Sequence, residues 1–288
     1  MSLPRFEYLA PGTVREACEL LSQHKGRVKI IAGGTDLLVR MKNREANPLY
    51  LVGISHIEKM NYIHYNAVTG LRIGAMTTHE SIANSPIVRE KFAILALAAA
   101  EIGSPQIRNR GTVGGNLCNA LPSADTASPL IALRATVKLV NSKQERMIDL
   151  EKLFTGPGET VLRDDELLTE IQVPSPLPHT GGAYLKLYSR GAVDIATVGV
   201  AVMLTLGRNE TCDHIRIVLA AAAPTPLRAK EAEEIMMGKK MEEEIVEKAA
   251  QVAAEEAKPR STPEYKREMV RVLTVGAIMQ SLEQAKQP

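Results

Sequence analysis

"RNRGTVGGNLCNALPSAD", Arg108 to Asp125, sets a bare backbone turn, Gly114-Gly115-Asn116, between Val113 and an apolar continuation. A glycine pair lets backbone amides approach a partner with no side chain in the way. Read alone, it is a plain turn. A second pair stands upstream in "IIAGGTD", Ile30 to Asp36, directly after the apolar run "VKIIA" (28–32). Two such segments in one presumed domain raise the question of what both backbones face. A diphosphate is the commonest ligand that needs this arrangement, because consecutive amides and helix N-termini favour negative charge. Thr35, Asn116 and Ser123 add possible side-chain donors. Neither segment fits G-x-G-x-x-G or G-x-x-x-x-G-K-[ST], which argues against a Rossmann domain and a nucleotide triphosphatase.

Working outward, Thr13-x-x-Glu16 is a capping box opening a helix over 13–25, with Val14, Ala17, Cys18, Leu20 and Leu21 as its apolar stripe. "LLVRMK" after the first glycine pair predicts a short helix or turn. Strands are predicted at 49–54, 62–65 and 71–75. Thr77-x-x-Glu80 reads as another capping box, and Pro86 suits the first turn of one longer helix ending near Glu101. "TVKLV" and "RMI" predict a hairpin around "NSKQE", and "ELLTEIQV" (166–173) a further strand. "PSPLPHTGG" (174–182), with three prolines and two glycines, marks a domain boundary. Beyond it, "YLKLYSR", "IATVGVAVMLTL" and "HIRIVLAAAA" predict a three-stranded antiparallel meander. Helices follow at 228–237, 241–257 and 263–285, where the charge runs read as solvated faces.

At 288 residues the chain is long enough for about two domains with proper cores. Aromatics are 3% of the chain and the formal charge is +2, which argues against nucleic-acid binding by base stacking or phosphate attraction. No apolar run is long enough to span a bilayer, and the N-terminal stretch has no secretion signal. Cys18, Cys118 and Cys212 are scattered and odd in number, as free thiols in a reducing compartment would be. A cytoplasmic location is the expectation. The six histidines form no metal-ligand pattern, the cysteines are too far apart to hold an iron–sulfur cluster in this chain, and no serine stands in a G-x-S-x-G elbow. Neither a metal ligand nor a catalytic side chain is assigned. Asp125 reads either as a helix cap or as an acceptor for a ligand.

"AGGTDLLVRMK", "SPQIRNRGTVGGNLCNALPSAD", "SRGAVDIA" and "AAPTPLRAKEAE" occur in the order and spacing of a known family. Across nearly its whole length, the chain resembles the FAD-binding subunit of the molybdenum hydroxylases. That group includes xanthine dehydrogenase and the medium subunit of aerobic carbon monoxide dehydrogenase. "GGNLCN", "SADTASP" and "APTPLR" resemble the bacterial xanthine dehydrogenase type in particular. The resemblance implies an α+β fold: a two-part FAD-binding domain of the vanillyl-alcohol-oxidase type over 1–176, with subdomains of about 1–55 and 56–176. A smaller C-terminal domain of a three-stranded antiparallel sheet plus helices would occupy 177–288.

In that family both glycine loops wrap the FAD diphosphate. The first would be Ile30, Ile31, Ala32, Gly33, Gly34, Thr35, Asp36 and Leu37; the second Thr112, Val113, Gly114, Gly115 and Asn116. Asp125 matches an acceptor for cofactor hydroxyl groups, Ile102 and Leu168 match apolar contacts to FAD, and Lys186 matches a basic residue near the flavin. On the strand pattern alone, Lys186 is a solvated residue. Ile195, in "SRGAVDIA", matches the position against the flavin ring where a nicotinamide docks, although Asp194 beside it also reads as a turn residue. Thr35 stands where a covalent attachment would put histidine, which implies non-covalent FAD. The inserted cysteine cluster of hydroxybenzoyl-coenzyme A reductase is missing here.

The resemblance further implies partners: an iron–sulfur subunit with 2Fe-2S clusters, a subunit holding the molybdenum cofactor, and NAD or another electron acceptor. Xanthine or a related purine or heterocycle leads as substrate, with aldehydes and carbon monoxide as alternatives. A self-sufficient flavin oxidoreductase of the same fold and a non-catalytic binding module are the rival readings.

Overall fold

The computed structural model describes residues 2–188 and 194–287. Near the N-terminus, α1 (Val14–Gln23) starts where expected: the Thr13 hydroxyl accepts from the Glu16 amide at 3.1 Å. The Glu16 carboxylate takes the Gly12 amide at 2.8 Å, so the reciprocal bond closes one residue further out than a standard box. Ala17, Cys18 and Leu21 are its buried face. Three short parallel strands follow the order β1-β3-β2, with β1 (Glu7–Leu9), β2 (Val28–Ile31) and β3 (Tyr50–Gly53). The first glycine pair leaves the end of β2 and enters α2 (Leu37–Lys42).

The second part of the chain builds a five-stranded antiparallel sheet. It contains β4 (Ile63–Asn66), β5 (Gly70–Gly74), β6 (Thr136–Val140) and β7 (Glu145–Asp149). After a small ribbon of β8 (Phe154–Gly156) and β9 (Glu159–Thr160), β10 (Leu167–Val173) inserts in the middle, giving the order β4-β5-β10-β6-β7. Gly74 lies opposite Glu170, and Leu71 opposite Val173. One end of the sheet therefore carries Gly74 and Ala75, and the other carries Thr69, Thr136 and Val173.

Between β5 and β6 run six helices: α3 (His79–Asn84), α4 (Pro86–Lys91), α5 (Ala93–Ala100), α6 (Pro105–Arg108), α7 (Val113–Asn119) and α8 (Ala127–Ala132). Two expectations are corrected here. The cap of α3 is Thr78, which accepts from the Ser81 amide, whereas the Thr77 hydroxyl bonds the Tyr62 backbone. The single helix expected after Pro86 is two helices, because Phe92 leaves the helical region (φ −136, ψ 44) and buries its ring at 1% exposure. Core packing of one aromatic ring overrides a run of good helix formers.

The C-terminal part is a meander of β11 (Thr180–Leu187), β12 (Val198–Leu206) and β13 (Cys212–Ala220), as expected, with a fourth strand β14 (Leu227–Arg228) added at its edge. Helices α9 (Lys230–Met236), α10 (Glu243–Glu256) and α11 (Pro263–Ala285) complete it. Val200 and Val202 of β12 face a core shared with Val246 and Ile278, while Ala201 between them joins the larger core around Leu71, Phe92 and Leu130. Both faces of the strand are covered, which explains its nearly unbroken apolar sequence. The C-terminal sheet thus presses one face against α5 and α8, the helices on either side of the second glycine pair in sequence.

Candidate cofactor site

The first glycine segment is an open backbone. Among the described residues, the amides of Gly33, Gly34, Thr35, Asp36 and Leu37 have no hydrogen-bond acceptor. The Thr35 hydroxyl donates to the Asp36 carboxylate at 3.2 Å, and Asp36 precedes α2 without capping it through its side chain. Ile30 and Ile31 end β2, and Ala32 and Leu37 are partly buried on either side of the turn. A run of unpaired amides at the start of a helix attracts an anion. A Cβ on Gly33 would lie 1.9 Å from the Arg110 carbonyl oxygen. Only glycine allows the first segment to lie flat on the backbone that enters the second.

The second segment is built differently. The bare turn expected at Gly114-Gly115-Asn116 is the first turn of α7, and its amides are already used. Those of Val113 and Gly114 donate to the Thr77 and Ala75 carbonyls at 3.0 and 2.9 Å. The Gly115 amide goes to the Thr112 hydroxyl at 3.1 Å, and the Asn116 amide to the Thr112 carbonyl at 2.9 Å. Thr112 is therefore a helix cap. Gly114 is needed for packing: a Cβ there would come within 2.7 Å of the Ala75 side chain and carbonyl. Asn116 accepts through Oδ1 from the Thr126 hydroxyl at 2.7 Å, which leaves its amide nitrogen to donate outward. His79 packs beneath this segment, 2% exposed, with its own amide on the Gly111 carbonyl. Burial pushes its imidazole down to about 4, and its Nδ1 has no partner among the described residues.

Asp125 and Lys186, 61 positions apart, are brought together. Lys186 Nζ donates to Asp125 Oδ2 and to the Glu101 carbonyl, each at 3.0 Å, and its side chain is only 3% exposed. The solvated reading of Lys186 is corrected: the strand's alternation put it on the covered face. Asp125 does not cap α8, whose preceding residue is Thr126. Its Oδ1 instead accepts from the Tyr184 hydroxyl at 2.7 Å. Burial pushes the Asp125 carboxyl up, against the opposing pull of Lys186 and Tyr184. Tyr184 is raised well above the ordinary phenol range by burial and by Asp125. This buried cluster ties the C-terminal sheet to the residues flanking the second glycine segment. Tyr184 was missed in the sequence, although it shares a strand face with Lys186 two residues on.

Ile102 and Leu168 are both buried, Leu168 at the end of β10 that also carries Ala75's partner Thr169. Ile195 is 71% exposed. Most of "SRGAVDIA", Ser189 to Val193, lies outside the described residues. Cys118 of α7 has exposed surface, yet the protein around it pushes its thiol up to about 12. The open amides of the first segment and the glycine at the contact between the segments fit a dinucleotide diphosphate.

Comparison with known proteins agrees with this geometry. Residues 4–176 match the family model described as the FAD binding domain in molybdopterin dehydrogenase, and residues 183–281 that of the CO dehydrogenase flavoprotein C-terminal domain. The chain belongs to the family of FAD-binding subunits of molybdenum-containing dehydrogenases and hydroxylases. It is 39% identical to the carbon monoxide dehydrogenase medium chain of Hydrogenophaga pseudoflava over 270 residues, covering 92% of this chain and 93% of that one. It is 30% identical to a putative xanthine dehydrogenase FAD-binding subunit of Escherichia coli, covering 96% of each. The nicotinate dehydrogenase FAD-subunit of Eubacterium barkeri is 33% identical, with 92% of each covered. The fold matches the solved carbon monoxide dehydrogenase of Hydrogenophaga pseudoflava with a TM-score of 0.95 at 38% identity, covering 99% of both chains. FAD is the cofactor of this chain, and the chain is a subunit of an oxidoreductase.

Proposed function

We propose that this chain is the electron-transfer subunit of a molybdenum-containing hydroxylase, taking electrons from an iron–sulfur partner subunit and passing them to NAD or another acceptor. Substrate oxidation would take place on a separate molybdenum-binding subunit, with xanthine or a related purine or heterocycle as substrate. FAD supplies the conversion between single-electron and two-electron transfer; the protein supplies position and electrostatics. The observation that carries the reading is the run of unpaired amides from Gly33 to Leu37 against the Arg110 backbone. Those amides would hold the diphosphate, with the Asn116 side-chain amide as a further donor.

In the same reading, residues 1–176 form the FAD-binding domain and 177–288 the C-terminal domain. Ile102 and Leu168 give the cofactor apolar contact. Asp125 accepts from its hydroxyl groups, Lys186 is the basic residue near the flavin and pairs with Asp125, and Ile195 lies against the ring where the nicotinamide docks. Thr35 has no nucleophilic nitrogen, so the cofactor is held without a covalent bond. No side chain acts as general acid or base. The complex works in the cytoplasm; among the described residues no helix is long and apolar enough to cross a membrane.

A second reading of the substrate, carbon monoxide, is favoured by identity, 39% to the carbon monoxide dehydrogenase chain against 30% to the xanthine dehydrogenase subunit. An absorption spectrum of the purified chain, before and after acid precipitation, tests the cofactor. Flavin released to the supernatant supports the proposal, and protein that stays colourless after incubation with FAD refutes it. NADH that fails to reduce the flavin where dithionite succeeds would remove NAD as the acceptor. Activity of the assembled complex on xanthine or on carbon monoxide decides the substrate.

A further inference from the structure

At the end of the five-stranded sheet away from Ala75 lies a recess of about 620 Å³, between that sheet and the C-terminal sheet. Roughly 20 Å of strand, at about 3.3 Å per residue, separates Thr69 at its rim from Ala75 beside the second glycine segment. The recess is therefore separate from the cofactor site. Thr69, Thr136 and Gln172 reach it from strand ends, and Arg134, Arg216 and Arg228 share its wall. Its volume is that of an ordinary small-molecule site.

The charges around it do not cancel. Asp149 pairs with Lys152 at 2.9 Å and Glu151 with Lys230 at 3.0 Å. Glu233 takes Arg228 at 2.6 Å, and Arg228 also approaches Glu151 at 3.7 Å. Each of these carboxylates has its own cation. Arg134 has no ion pair or side-chain hydrogen bond among the described residues. Among the described residues Arg216 makes one side-chain hydrogen bond, from Nη1 to the Ile131 carbonyl at 3.1 Å. Burial, then the like charges of Arg228 and Arg134, push the Arg216 guanidinium below its usual range, outweighing Glu233 and Glu151. Arg134 is moreover held at φ 62, a left-handed backbone that a bulky residue seldom adopts. Two guanidinium groups that line the recess without an ion pair among the described residues match a dianion, and the planar fork of each suits paired oxyanion contacts.

We propose that this recess binds a small organic phosphate, its oxyanion held by Arg134 and Arg216 and its hydroxyl groups by Thr136, Gln172 and Glu151. The phosphate dianion supplies the two charges that the protein leaves unmatched. The neutral and acidic groups beside it distinguish an organic ester from the bare ion.

The test is calorimetric titration of AMP into the full chain, with and without saturating FAD, at ionic strength fixed by chloride. Saturable AMP binding is expected in both states, with inorganic phosphate weaker and the flavin spectrum unchanged. R134Q and R216Q should each weaken AMP binding about tenfold, and R15Q on the distant α1 surface should not. Arg134 is exposed, so R134Q keeps the test informative even where R216Q fails to fold. Binding that FAD abolishes and R134Q leaves intact would place the nucleotide in the cofactor site and overturn the proposal. So would the lack of saturable binding, or citrate binding as tightly as AMP.

Discussion

The two glycine segments look alike in sequence and differ in structure. In Ile30 to Leu37 the glycines leave a backbone open, with amides from Gly33 onward unpaired among the described residues. In Val113 to Asn116 the amides are used inside the chain, and Gly114 is small so that α7 can sit on Ala75. One pair exposes main chain; the other packs it. The same two letters thus leave main chain open in one segment and packed in the other, and what separates them is whether a neighbouring strand end offers acceptors. Ala75 and Thr77 offer theirs to the second segment. Nothing described does so for the first.

The sharpest way to break this contrast is G33A. The added methyl group meets the Arg110 carbonyl, so the first segment must lift and misdirect its amides. FAD affinity should fall about a thousandfold, roughly 4 kcal/mol, as two or three charge-assisted bonds are lost. Fluorescence titration of FAD reads this directly, and an unchanged Kd would end the role given to the segment.

Acid should loosen the second segment through His79. Its imidazole is held neutral down to about 4 in the fold, while an unfolded histidine protonates near 6.5. Between those values the unfolded chain binds the extra proton, so stability falls as pH drops from about 6.5 towards 4, by up to about 3 kcal/mol. Urea midpoints across this range should slope less in H79Q than in the parent.

A smaller effect, about 2 kcal/mol of stability, is expected for G114A, because overpacking against Ala75 must be relieved by shifting α7. Its Tm should fall even in FAD-free protein. T112A should cost about 1 kcal/mol by removing the cap from the Gly115 amide, with FAD affinity changed less than tenfold. If T112A instead rivals G33A in FAD binding, the division between the segments is wrong.

Much of the fold was legible in the sequence because its signals are local. The capping residue Thr13 and the alternating C-terminal strands depend on neighbours a few positions away. The division of the helix at Phe92 was not legible, since it follows from where that ring is buried. Nor was the meeting of Asp125 and Lys186. Sequence alternation shows that Lys186 and Tyr184 share a face, but only the docking of the sheet decides that this face is covered. The open amides of the first segment lay in a motif that could be read. The satisfied amides of Val113 and Gly114 could not, because their acceptors, Thr77 and Ala75, lie some forty positions away on another element. The arginine recess was equally hidden, since Arg134, Arg216 and Arg228 come from a turn and two strands.

Hydrogen exchange read by mass spectrometry, with and without FAD, tests the central claim most directly. The account predicts that amides 33–37 exchange rapidly in the free chain and are strongly protected by FAD, while amides 113–116 are already slow and change little. Rapid exchange at 113–116 that FAD suppresses, with 33–37 unaffected, would contradict it.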